Sequence, residues 1–232
     1  MRTPGADREL AAGFLFSERV IRTADDLGTI QRCADAANVV DVTLTDTTRL
    51  DELFANQRQI TTSSSCGLCG RRTIESLSSD AKPLEVGWTL ATSVLVTLVD
   101  RLRSAQNVFD ETGGLHAAGL FTHDGTLIDV AEDVGRHNAV DKVVGRMLIR
   151  EALPASDCVL FVSGRSSFEI VQKALFAGIP IVASVSAPSS LAIDLAREMG
   201  ITLAGFVRGD SFNLYTHAER VRSVRLSASG RS

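Results

Sequence analysis

Cys158-Val159-Leu160-Phe161-Val162-Ser163-Gly164-Arg165-Ser166-Ser167 joins an apolar run to a small, hydroxyl-rich turn. Five consecutive apolar residues read as a strand buried on both faces, and the turn after them reads as the entry to a helix over 166–177. The rhythm then repeats: a strand over 180–185, a helix over 189–199, a short strand over 202–206 and a last strand at about 212–216. Strands alternating with helices imply βαβ units, hence an α/β fold with a mostly parallel sheet covered on both faces.

Working back from that stretch, 117–122 and 126–130 flank His123-Asp124-Gly125, whose Asp-Gly pair predicts a hairpin turn. A helix follows over 138–151. Thr89 to Phe109 is apolar on more than one side and predicts one long buried helix. Asp7 to Ile21 predicts an amphipathic helix, with Leu10, Phe14 and Ile21 on its apolar face. Val39 to Thr45 alternates as a strand, Cys33 falls on a weakly helical stretch, and Leu50 to Ile60 fits a helix or an extended segment equally. The Arg- and Ser-rich tail from Ala218 is expected to fray. The expected organisation is an N-terminal segment, 1–85, packed on an α/β domain, 86–217, with a tail, 218–232.

The chain has 232 residues, 44% of them hydrophobic and 22% charged, enough to bury a core without disulfide staples. A net charge of −4 argues against nucleic acid as a general partner. The start, Met1-Arg2-Thr3-Pro4-Gly5, lacks the apolar core of a signal peptide, and no apolar run reaches membrane-spanning length. A cytoplasmic protein without membrane contact is expected, in surroundings that keep thiols reduced.

Chemistry concentrates in Ser65-Cys66-Gly67-Leu68-Cys69-Gly70-Arg71-Arg72. Ser65 suits an N-cap, which would place Cys66 in the first turn of a short helix over 66–78. The helix dipole and the two arginines then favour thiolate over thiol, and the glycines let a partner approach the sulfurs. A reactive pair is one reading; half of a zinc site and a structural disulfide are the others. Cys158, within its apolar run, and Cys33 read as inert thiols.

Three strand ends carry anion-friendly turns. Ser163, Gly164 and Arg165 offer backbone N–H groups and a guanidinium at a helix entry, though an ordinary turn with Ser167 as N-cap fits equally. Ser186-Ala187-Pro188-Ser189-Ser190 is a second polar helix entry. In Phe206-Val207-Arg208-Gly209-Asp210-Ser211, Arg208 suits a phosphate or a purine edge and Phe206 a stacked base, against a plain β-turn with a solvated arginine. Together the three turns favour a nucleotide-like ligand. His116, after a Gly113-Gly114 pair, and His137, in Glu132-Asp133-Val134-Gly135-Arg136-His137-Asn138, are each either acid–base groups or hydrogen-bonded structural residues.

A zinc deaminase needs H-x-E upstream of P-C-x-x-C, but here Ala118 stands where the glutamate belongs, Ser65 replaces the proline, and the order is reversed. No resident metal is expected. A dithiol oxidoreductase suits the cysteine pair but leaves the three turns without a purpose.

Six motifs in order, T-P-G-x-D-x-E-L-A-x-G-F-L at 3–15, S-C-G-L-C-G at 65–70, T-G-G-L-H-A-A at 112–118, E-D-V-G-R-H-N-A-V-D-K at 132–142, S-G-R-S-S-F-E at 163–169 and G-F-V-R-G at 205–209, make the chain resemble the FdhD family of formate dehydrogenase accessory proteins. The resemblance spans nearly the whole chain. It implies a cytidine-deaminase-like mixed sheet with helices on both faces, without the zinc chemistry. It also implies a sulfur carrier, a sulfurtransferase that relays persulfide sulfur from a cysteine desulfurase to the molybdenum cofactor, bis-molybdopterin guanine dinucleotide, before that cofactor enters formate dehydrogenase. The persulfide cysteine falls on Cys66, with Cys69 as its partner, and the cofactor-binding segment on Phe206 to Ser211. A homodimer is implied too. Members of the family carry tens of residues before T-P-G, so a truncated N-terminal portion lacking an edge strand is expected here. The rival readings are a non-enzymatic cofactor-binding chaperone with structural cysteines, and the dithiol oxidoreductase.

Overall fold

The computed structural model describes residues 1–33, 38–46 and 81–223, without the side chains of 110 and 111. Its centre is a six-stranded mixed sheet. The strands are β4 (His116–Thr122), β5 (Leu127–Asp133), β6 (Cys158–Val162), β7 (Ile181–Ser184), β8 (Thr202–Arg208) and β9 (Ser211–Thr216), in the order β5-β4-β6-β7-β8-β9. Only β6/β7 and β7/β8 pair in parallel; β4/β5, β4/β6 and β8/β9 are antiparallel. The mostly parallel sheet read from the alternation is thereby corrected to a mixed one. Helices cross over from β5 to β6, from β6 to β7 and from β7 to β8, while tight turns join β4 to β5 and β8 to β9 at the two edges.

Alternation sorts the side chains between the two faces. Ala118, Leu120, Leu160, Val162, Val182 and Leu203 point into one core, and Ala117, Phe121, Val159, Phe161, Ile181 and Ala183 into the other. The first core is closed by α1 (Asp7–Ser17), α4 (Arg136–Ile149), α5 (Phe168–Phe176) and α6 (Ser190–Glu198). The second is closed by α2 (Thr92–Ser104) through Leu95, Leu98 and Leu102, one stripe at helical spacing.

Helices α1 and α4 touch backbone to backbone. A Cβ added to Gly13 would lie 1.9 Å from the Asp141 carbonyl oxygen, and one added to Gly145 would lie 1.9 Å from that of Glu9. Nearby, buried Asp141 receives hydrogen bonds from Lys173 Nζ at 2.7 Å and Ser17 Oγ at 3.0 Å, tying α4 to α5 and α1.

Three expectations change. The stretch 89–109 is not one buried helix. It comprises a two-residue strand, β3 (Leu90–Ala91), then α2, then α3 (Asn107–Thr112), with a break at Ala105 and Gln106. The break is stable because the Glu132 carboxylate accepts the Val108 and Phe109 N–H groups at 2.9 and 2.8 Å, replacing helical partners that α3 would otherwise lack. Cys33 follows a strand rather than a weak helix: β1 (Leu27–Arg32) pairs antiparallel with β2 (Val40–Leu44). The chain does not fray at Ala218 either. A 3-10 turn, Ala218–Arg220, leads to β10 (Val221–Arg222), which pairs parallel with β3 and buries Val221 in the second core.

Candidate functional site

One edge of the sheet collects most of the singled-out residues. The carboxyl ends of β5, β6, β7 and β8 and the start of β4 all lie there. That edge is where open α/β sheets present loops to ligands.

Ser163 continues the ladder of β6: its N–H donates to the Ala117 carbonyl at 2.9 Å, and its Oγ accepts the Ala117 N–H at 2.8 Å. Gly164 is buried beneath two side chains; a Cβ there would lie 3.3 Å from His116 Nδ1 and 3.5 Å from Arg136 Cδ. Arg165 is exposed. Ser167 occupies the N-cap position of α5, yet its hydroxyl bonds outward to His137 Nε2 at 2.9 Å. Glu169 Oε2 lies 3.8 Å from that same nitrogen. Hydroxyl and carboxylate therefore meet one ring nitrogen instead of opposite ones, which is not the arrangement of a nucleophile–base–acid triad. Burial, reinforced by the Arg136 charge, pushes the His137 pKa down to about 4, so the ring is neutral at pH 7. Burial and Arg136 lower His116 as well.

The segment 206–211 lies in the hairpin between the strands expected over 202–206 and at about 212–216. β8 runs on to Arg208 and turns through Gly209 and Asp210 into β9, with Gly209 at φ +51°. A bulge between Gly205 and Arg208 puts Phe206 at φ 53°, an uncommon conformation for a residue with a side chain. The bulge turns the Phe206 ring outward, 37% exposed, while Val207 is fully buried in the second core. Of the six residues expected to bind a cofactor here, five are exposed, and Val207 presents only its backbone. The Arg208 guanidinium lies 5.8 Å from the Phe206 ring centroid, and its Nε donates to the Val185 carbonyl at 3.1 Å.

Short bonds tie the three turns together. Phe206 N–H donates to the Ser186 carbonyl at 3.2 Å, and Ser189 N–H donates to that of Ser166 at 3.0 Å. The chain's first residues join the same edge. Thr3 N–H donates to Asp133 Oδ2 at 3.0 Å, Thr3 Oγ1 accepts the Val134 N–H at 2.9 Å, and Lys142 Nζ donates to the Thr3 carbonyl at 3.1 Å. Beside the turns, on the α2 side, lies a cavity of about 420 Å³ that includes Gln106, Phe109, Gly114, His116, Phe161, Ser163 and Val185 in its walls. Gln106 and Val185 carried no sequence signal, since neither type marks a pocket.

Cys66 and Cys69 lie outside the described residues. Of the other two cysteines, Cys158 is buried, and burial together with Asp157 raises its thiol to about 12, leaving it protonated. Among the described residues no cluster of three or more His, Cys, Asp or Glu side chains could hold a metal ion, and no helix is long and apolar enough to cross a membrane.

The family model described as the FdhD/NarQ family matches residues 1–222. The chain belongs to the FdhD/NarQ family. Curated FdhD relatives are similar along almost the whole chain. A sulfur carrier protein FdhD of Streptomyces coelicolor is 52% identical over 95% of this chain and 82% of its own length. That of Mycolicibacterium paratuberculosis is 50% identical over 95% and 84%, and that of Sulfurisphaera tokodaii 48% over 95% and 82%. Among solved structures, a crystal structure of a candidate formate dehydrogenase accessory protein from Desulfotalea psychrophila superposes with a TM-score of 0.74. It is 27% identical, and the match covers 96% of this chain and 82% of that one. The mixed α/β architecture is thus an FdhD architecture.

Proposed function

We propose that this chain is a cytoplasmic sulfur carrier that takes persulfide sulfur from a cysteine desulfurase and delivers it to the molybdenum cofactor before that cofactor enters formate dehydrogenase. The observation that carries the reading is the conjunction of one close cysteine pair, Cys66 and Cys69, with relatives near 50% identical that are named sulfur carriers. The inert state of Cys158 supports it by removing a competitor.

In this reading the Cys66 thiolate attacks the outer sulfur of the desulfurase persulfide. The donor's S–S bond breaks, the desulfurase leaves as a thiolate, and Cys66 holds the persulfide. Cys69 thiolate then attacks the inner sulfur of that persulfide. A Cys66–Cys69 disulfide forms, and the outer sulfur departs as sulfide, with both electrons, to the molybdenum of the bound substrate. A dithiol reductant resets the pair. The substrate, bis-molybdopterin guanine dinucleotide, is received on the edge formed by Ser163, Gly164, Arg165 and the hairpin Phe206 to Ser211. An exposed aromatic ring beside a guanidinium suits a base and a phosphate there. The working unit is a homodimer.

The test is mass spectrometry of the protein after incubation with a cysteine desulfurase and cysteine. Each carried sulfur adds about 32 Da, and the Cys66→Ala/Cys69→Ala variant carries none. An unmodified wild type, or an equally modified double variant, rejects the carrier reading. Restoration of formate dehydrogenase activity by the double variant, in a strain lacking the protein, would favour a chaperone instead.

A further inference from the structure

We infer that α3 is a hinged lid on the cavity beside the turns, and that the Glu132 carboxylate is the latch that holds it shut. The cavity of about 420 Å³ has two kinds of wall. Leu102 of α2 and Phe161 of β6 belong to the second core, and Val99 and Val185 pack against it. Phe109, Gly113 and Gly114 belong instead to the segment 107–114, which joins α2 to β4.

That segment is lightly held. Asn107, Val108, Thr112, Gly113 and Gly114 are exposed, and Phe109 is half-buried. Neither Val108 nor Phe109 belongs to either hydrophobic core. Among the described residues, two attachments tie α3 to the body. The Glu132 carboxylate accepts the Val108 and Phe109 N–H groups at 2.9 and 2.8 Å, and the Arg103 guanidinium lies 4.3 Å from the Phe109 ring centroid. A helix of six residues is far too short to hold itself in water, so its order depends on these attachments. Glu132 is a firm base for a latch, because Lys142 Nζ fixes its backbone carbonyl at 3.1 Å. The two bonds run to backbone N–H groups near the lid's exposed surface, and water can replace the carboxylate when they part.

Both ends of the segment can turn. At the first, the run of turns from α2 stops at Gln106, which is buried and takes an extended conformation, φ −88° and ψ 91°. At the second, Gly113 closes α3 at φ +67°, and an added Cβ there would meet nothing within 4 Å. At Gly114 the nearest atom to an added Cβ would be the Thr112 carbonyl oxygen at 3.8 Å. Two adjacent glycines without crowding neighbours give the backbone the freedom a hinge needs. Latched, α3 completes the cavity wall; released, it swings out between Gln106 and Gly113 and uncovers Leu102. This device goes beyond the carrier reading and holds whichever molecule the cavity receives.

Amide hydrogen exchange of the full chain, resolved by residue with NMR, tests it. In wild type the Val108 and Phe109 amides exchange together, at least about tenfold faster than that of Leu98 in the body of α2. Glu132→Gln keeps an acceptor for one N–H but turns an amide donor toward the other. It speeds both amides by about a further tenfold and leaves Leu98 unchanged. Gly113→Ala loosens the lid from its other end, because alanine resists a positive φ, and speeds the same two amides with Glu132 intact. That variant decides the matter should Glu132→Gln not fold. A thiol placed beneath the lid by Leu102→Cys, in the Cys66→Ala/Cys69→Ala background, reads the cavity itself. Its alkylation by iodoacetamide, located by peptide mass spectrometry, accelerates in step with the two amides. Three results overturn the inference: wild-type Val108 and Phe109 exchanging no faster than Leu98, exchange unchanged in either folded variant, or alkylation that does not follow the exchange.

Discussion

Asp133 Oδ2 lies 2.7 Å from Lys142 Nζ, and neither side chain reaches appreciable solvent. The pair is fully engaged: Asp133 also accepts the N–H groups of Thr3 and Gly135 and the Asn138 amide, while Lys142 also donates to the carbonyls of Thr3 and Glu132. Removing one partner leaves the other charge buried. Lys142→Met is expected to lower the unfolding free energy by about 3–5 kcal/mol, read from denaturant titration. A loss under 1 kcal/mol would show that the pair is not a structural keystone.

The glycine contact between α1 and α4 gives a second outcome. Gly13→Ala and Gly145→Ala each force a methyl group onto a backbone carbonyl, and the two helices must separate. A loss of about 3 kcal/mol is expected for each, despite the roughly 1 kcal/mol that alanine ordinarily gains over glycine within a helix. Gly87→Ala, where an added Cβ meets nothing within 4 Å, serves as the neutral control. Thermal melts of the three variants decide it.

His137 makes stability depend on pH in a defined direction. Its folded pKa of about 4 lies below its ordinary 6.5, so the unfolded chain takes up the proton first as pH falls. The contribution of this residue is complete above about pH 6.5 and is lost between 6.5 and about 4, roughly 2–3 kcal/mol in total. Denaturant titrations at pH 7.5 and 4.5 should show wild type losing more stability than His137→Gln by about that amount. Equal losses would mean that the imidazole stays solvated.

Arg208 is the cation of the nucleotide reading. Arg208→Ala is expected to weaken GDP binding at least tenfold, with persulfide loading unchanged, because the substitution removes a charge-assisted contact without touching the core. Calorimetric titration with GDP measures it, and unaltered affinity would move the phosphates elsewhere. Val207→Ala, by contrast, should act through stability, since that side chain lies wholly in the core.

The central strands and their crossover helices were legible because each is a local signal: an apolar run, then a hydroxyl-rich turn, then a helical stripe. What escaped depends on distant partners. The break at Gln106 is held by Glu132 on another strand, so no local pattern announces it. The strand 27–32 exists by pairing with 40–44, and Val221 is ordered by the second core instead of by its Arg- and Ser-rich neighbours. At 206–211 the sequence offers an aromatic and a cation, and the structure leaves both exposed. The bulge that sends Phe206 outward and Val207 inward defeats simple alternation, and the strand expected to end at 206 runs on to Arg208. The link from Thr3 to Asp133 was invisible for the same reason, although both motifs were singled out.

That link also sets an order of assembly. Thr3 and α1 leave the ribosome long before Asp133 and Lys142 exist. At roughly 5–20 residues added per second, the intervening chain takes about 7 to 28 seconds to synthesise. Through that interval the Ala12 and Phe16 face of α1 has no α4 to cover it, and α1 docks only after α4 has been made.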